Sequence, residues 1–187
     1  MATTVRLAVS LAALLPTAGS AAATDAWCIA PPTMTWADAC LTACDTPALY
    51  NLCQETLLQA PDGAAAAATA YALAAARRAM ASLGATAARA ERLLRGGWFP
   101  GPEREACWRC VDDYLDARSR MAVVVGDLAG GCAIAQTRAE YVRAVAALER
   151  CAGALSGFRG SPLVALNAAD RDLAVLAYAL GALIVGT

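Results

Sequence analysis

The chain has 187 residues, 59% of them hydrophobic, and a formal net charge of −1. It contains no histidine, the commonest acid–base group and metal ligand, and its near-neutral balance leaves no basic field for nucleic acid. Much of the hydrophobic excess is alanine, the strongest helix former, so the composition argues for an all-α protein.

The chain opens like a secretory signal, residues 1–23. Arg6 gives a positive start, and Leu7 to Leu15 gives a short apolar run. Pro16 breaks that run, and Ala21-Ala22-Ala23 offers small residues for cleavage. The run falls well short of the roughly 20 residues that span a bilayer, so no membrane anchor is expected in the mature form. Residues 24–187 are then one domain, with 14 arginines against 16 acids and no lysine. Eight cysteines in a secreted chain read as disulfides.

Thr35-Trp36-Ala37-Asp38 has the spelling of a helix start, with Thr as cap and Asp three positions later. That helix should end near Ala43. Thr46-Pro47 starts a second short helix running to about Gln59, because Thr caps and Pro suits the first helical position. Cys44 and Cys53 flank this start, and a bond between them would staple residues 35–60 as a helical hairpin. Pro61-Asp62-Gly63 is a turn signal.

A four-helix bundle is expected over 64–185. In the first long helix, Ala64 to Arg95, one apolar stripe joins Leu73, Ala76, Met80, Leu83, Ala87, Ala90 and Leu94. Gly96-Gly97 and Pro100-Gly101-Pro102 end it. The second, from about Glu103 to Asp127, has a stripe through Cys107, Val111, Tyr114, Arg118, Met121, Val125 and Leu128, broken by Gly130-Gly131. Thr137-Arg138-Ala139-Glu140 spells a capping box for the third, which carries Tyr141, Val145, Leu148 and Leu155. Ser161-Pro162 opens the last, with Leu163, Leu166, Leu173, Leu176, Leu180 and Leu183 inward. Four amphipathic helices joined by short loops favour up-down-up-down topology.

That topology makes a statement about cysteines. Cys110 lies about twenty residues before the Gly130-Gly131 hinge and Cys151 about twenty after it, so an antiparallel pair puts them at one level. Helix axes roughly 8–10 Å apart allow a disulfide there. Cys107, one turn away, is a competitor for Cys151. The pairing of Cys28, Cys40 and Cys132 stays open.

No constellation of residues supports an enzyme. Cys107-Trp108-Arg109-Cys110 is a Cys-x-x-Cys without the βαβ setting of a thiol oxidoreductase and without further zinc ligands at metal spacing. Asp112 and Asp113 are adjacent and diverge on a helix. Ser156 and Ser161 have no histidine for a hydrolase triad. No catalytic residue, metal or cofactor is expected.

The spellings together resemble the plant invertase and pectin methylesterase inhibitor family, over nearly all of the mature chain. They are Cys44-x8-Cys53 with Thr46-Pro47 inside, Cys110 followed by Tyr114 and Ala117, Cys151, and the segment Ser161-Pro162-Leu163 with Ala165-Leu166-Asn167. The resemblance implies crosslinks Cys44–Cys53 and Cys110–Cys151. It implies a secreted, noncatalytic inhibitor of the cell wall (the apoplast), whose protein partner is pectin methylesterase or, alternatively, acid invertase. It places the target-binding face on the second and third bundle helices, where Asp113, Asp116, Arg143 and Arg150 lie off the apolar stripes. Where the family has small hydroxyl residues before its fourth cysteine, this chain has Val142-Arg143-Ala144-Val145-Ala146 and then Arg150. The Pro-Lys-Phe loop of invertase inhibitors is absent, and Cys28, Cys40, Cys107 and Cys132 are additional. A secreted structural or small-ligand-binding helical protein is the reading from another class.

Overall fold

A computed structural model describes residues 31–58, 66–130 and 134–185. The expected signal segment, Cys28, the expected turn at Pro61-Asp62-Gly63, Gly131 and Cys132 lie outside the described residues. Among the described residues there are six helices: α1 (Trp36–Ala43), α2 (Pro47–Leu57), α3 (Ala68–Arg95), α4 (Gly101–Gly130), α5 (Ile134–Leu155) and α6 (Pro162–Val185). Two-residue strands β1 (Thr33–Met34) and β2 (Ala66–Ala67) pair antiparallel, with Thr33 opposite Ala67.

The local signals explain the short helices. Thr35 Oγ1 accepts from the Asp38 amide at 3.1 Å and donates to the Asp38 carboxylate at 2.7 Å, which fixes the start of α1. Thr46 Oγ1 accepts from the Leu49 amide at 3.3 Å, with Pro47 in the first position of α2. The capping box expected at Thr137 is displaced, because α5 already begins at Ile134. Thr137 is instead a buried residue within the helix.

Helices α3 to α6 form a closed ring in which each packs on its sequence neighbour and α6 returns to α3. This is the up-down-up-down bundle. The core is built largely of small side chains, among them Ala75, Ala79, Ala90, Ala117, Ala144, Ala147 and Ala177. Small residues let helix backbones approach closely, and larger residues fill the layers between: Leu83, Leu94, Met121, Leu148 and Leu180. Gly181 shows how close the approach is. A Cβ there would lie 2.6 Å from the Tyr141 ring, which packs edge-on against Tyr178 at 5.9 Å.

One stripe shifts from its expected line. Arg118 is exposed, and Ala117 and Val124 are buried on α4 in place of Arg118 and Val125. The arginine lies over Gly84 of α3, its Nε 3.2 Å from where a Cβ would be. The long stem covers apolar surface while the guanidinium stays wet.

The α1–α2 hairpin packs on α3 and α6, at the bundle end that holds the start of α3. Tyr71 near that start donates to the Met34 carbonyl at 3.0 Å, and Arg78 Nη1 donates to the Glu55 carbonyl at 3.2 Å. The hairpin is stapled by Cys40–Cys53, with Cα atoms 5.7 Å apart. The expected Cys44–Cys53 bond is thereby corrected, and Cys44 is a free thiol. The reason is level. Cys40 lies six residues before Thr46 and Cys53 seven after it, so the antiparallel pair brings them side by side. Cys44 is the C-cap of α1, at the turn itself, about two helical turns from the height of Cys53.

The same rule places the second crosslink as expected. Cys110 and Cys151 are bonded across α4 and α5, with Cα atoms 4.6 Å apart. Cys107 stays free and fully buried.

Candidate target-binding face

The residues proposed for target binding gather on one side of α4 and α5. Arg150 on α5 reaches across to α4, with Nε 2.8 Å from Asp113 Oδ1 and Nη2 3.0 Å from Asp116 Oδ2. Asp116 also accepts from Arg120 Nε at 3.1 Å. Arg120 Nη1 crosses back to Glu140 at 3.3 Å, and Glu140 accepts from Arg143 Nη1 at 2.7 Å. The six side chains form an alternating ladder, Asp113–Arg150–Asp116–Arg120–Glu140–Arg143, running away from the Cys110–Cys151 staple.

The electrostatics follow from this order. Partial burial pushes Asp116 up, but hydrogen bonds from Arg120 and Arg150 outweigh it and hold its carboxyl below the usual carboxylate range. Hydrogen bonds to Asp113 and Asp116 raise Arg150, and those to Asp116 and Glu140 raise Arg120. Asp116, Arg120 and Arg150 are thus each held in the charged form. Exposed ion pairs stabilise a fold little, but a continuous ladder sets the direction of each guanidinium.

The four residues singled out from the sequence all belong to the ladder. Arg120 and Glu140 were missed. The spacing Asp116-x3-Arg120 is a helical i,i+4 pair and was legible; the cross-helix links were not. Beside Arg150 the surface dips into a cleft of about 570 Å³ lined by Arg109, Asp112, Asp113, Arg150, Gly153 and Ala154. Asp112 is exposed and Asp113 half-buried, so the adjacent acids diverge.

The remaining chemical candidates are accounted for by burial. Burial pushes the Cys107 thiol up to about 11, with the Glu103 charge adding and the Ser161 hydroxyl opposing. Such a thiol is protonated at neutral pH and a poor nucleophile. Cys110, its Cys-x-x-Cys partner, is committed to Cys151. Burial first, and then the Asp45 charge, raise Cys44. Inside the bundle, Asp170 on α6 accepts from Ser82 of α3 and from the Tyr114 hydroxyl of α4, the latter at 2.9 Å. Burial and the neighbouring Asp170 charge push the Tyr114 phenol far up, so it stays a donor. Among the described residues, no group of three or more Cys, Asp or Glu is placed to hold a metal ion.

No model of a known protein family matches the chain, and no curated protein matches it. The class that fold and crosslinks define is an all-α, disulfide-stapled four-helix bundle with an N-terminal helical hairpin. Among its described residues, no helix is long and apolar enough to cross a membrane.

Proposed function

We propose that this protein is a secreted inhibitor that binds pectin methylesterase noncovalently, one to one, over the cleft where pectin enters. The observation that carries the proposal is the charged ladder of α4 and α5. Its Arg143 and Arg150 are exposed and its other four members half-buried, it contains every residue expected at the target face, and it stands on two helices held by a covalent crosslink. A surface ordered before binding loses little freedom on binding. Arginine is enriched among the residues that dominate interfaces. The disulfides suit an oxidising compartment, and export to the cell wall is part of the proposal. So is the absence of turnover, since inhibition needs only shape and polar complementarity. The segment Ser161-Pro162-Leu163 with Leu166-Asn167 favours acid invertase as the alternative target.

Parallel inhibition assays on purified pectin methylesterase and acid invertase test this reading. Saturable inhibition of pectin methylesterase at one-to-one stoichiometry is expected, and no inhibition of either enzyme overturns the proposal. Arg150→Thr then places the contact. If Arg150 touches the enzyme, the variant binds about ten-fold or more weakly, a change of roughly 1.4 kcal/mol. If the bulky cation excludes the enzyme, inhibition strengthens. An unchanged value with the fold intact removes this face from the interface.

A further inference from the structure

At the end of the bundle opposite the hairpin, two turns border an open cavity of about 370 Å³. The first turn ends α3 in a Schellman motif. Gly97 has φ 70°, its amide donates to the Leu94 carbonyl at 3.3 Å, and the Trp98 amide donates to the Leu93 carbonyl at 3.3 Å. The motif brings Trp98 and Leu93 to the same wall, where both line the cavity. The indole lies back over Gly96, whose missing Cβ would sit 2.7 Å from Trp98 Cδ1. The second turn joins α5 to α6. The Phe158 amide bonds the Leu155 carbonyl and the Ser161 amide bonds the Phe158 carbonyl, both at 2.8 Å. This brings Phe158 into the same lining as Trp98 and the buried Phe99.

The lining is selective in charge. Three aromatic rings share it with one carboxylate, Glu103, and no arginine lines it, although the chain has fifteen. Glu103 is half-buried and forms no ion pair among the described residues. Ser161, also in the lining, is 6% exposed, and the neighbour of its hydroxyl is the Cys107 thiol, a weak hydrogen-bond partner. A buried hydroxyl with only a thiol beside it keeps capacity for a stronger polar partner. Ring faces carry negative potential and attract cations, Trp most strongly, and Trp98 is 75% exposed and accessible to a ligand. The volume lies in the range of small-molecule sites.

We infer that this cavity is a binding site for a small organic cation of the alkylated ammonium class. The cation sits against the Trp98, Phe99 and Phe158 rings with Glu103 as counter-charge, and a polar substituent of the ligand meets Ser161. A quaternary ammonium suits the site better than a primary amine, because its methyl groups pack on rings and need no hydrogen bonds. The site lies apart from the α4/α5 ladder, so the inference stands whether or not that face takes an enzyme.

Isothermal titration of the full mature chain with choline, and with its neutral isostere 3,3-dimethyl-1-butanol, tests the inference. Choline is expected to bind saturably and at least ten-fold more tightly than the isostere. Glu103→Gln should weaken choline about ten-fold and leave the isostere unchanged. Glu105→Gln, which removes the same charge two residues along and outside the lining, should bind choline like the parent. Gly96→Ala keeps an ordinary helical φ of −73° but displaces the indole, and should weaken choline several-fold without altering thermal stability. Equal affinity for cation and isostere, no saturable binding of choline, or a Glu103→Gln variant that binds choline like the parent would each overturn the assignment.

Discussion

At the scale of single residues, the most consequential is Asp170. It is buried at 3% exposure, with no arginine in contact, and survives there because two hydroxyls donate to it. Buried polar groups are tolerated when paired and costly when one partner is deleted. Asp170→Ala removes the carboxylate acceptor of the Tyr114 hydroxyl in a buried layer, with Asn167 and Thr86 as its remaining neighbours, so a loss of about 2–4 kcal/mol is expected from urea unfolding at pH 7. Tyr114→Phe leaves the carboxylate with Ser82 and should cost less, about 1–2 kcal/mol. A change below about 0.5 kcal/mol for Asp170→Ala, the size of an ordinary surface substitution, would show that water reaches the site and the network is not structural.

Among elements, the hairpin is the informative one. Cys40–Cys53 closes a loop with a sequence separation of 13, and the chain-entropy model gives such a crosslink about 3 kcal/mol. Cys40→Ala should therefore lower the unfolding midpoint and open the α1–α2 hairpin to limited proteolysis, while Cys44→Ala should do neither. Peptide mapping of the non-reduced protein should recover a fragment joining Cys40 to Cys53. A dominant Cys44–Cys53 fragment would mean that the two helices meet one turn out of the described register.

For the whole molecule, the decisive feature is the ring of four helices, stapled between α4 and α5 by Cys110–Cys151. Its sequence separation of 41 makes it the larger constraint on the unfolded chain, about 4 kcal/mol on the same model. The paired substitution Cys110→Ala with Cys151→Ala should lower stability by that order in thermal melts. Inhibition should fall with it if the α4/α5 ladder is the contact face, because the staple fixes the two helices that Arg150 and Arg120 bridge. Unchanged inhibition in a destabilised but folded variant would separate the staple from the face.

Among the described residues, the sequence by itself determined the six helices, the turn at Gly96-Gly97, the closed bundle and one crosslink. Those features rest on local signals: a Thr cap with its acid, Gly-Gly and Pro stops, and stripes of 3.6 period. Cys110–Cys151 was legible because the length of the hairpin sets which residues lie level. The same rule applied to α1 and α2 selects Cys40, but nearness along the chain and the family spelling both pointed to Cys44. What only the tertiary structure decided depends on how helices meet. Arg118 left its stripe because Gly84 of a neighbouring helix offered a shallow seat. Arg120 and Glu140 joined the ladder because α5 docks beside α4 at one particular height. Trp98 and Phe158, sixty residues apart, face one cavity because the closed ring puts the ends of α3 and α5 together. Local propensity acts over a turn or two of chain, whereas these contacts are set by the packing of side chains between helices, which no single segment contains.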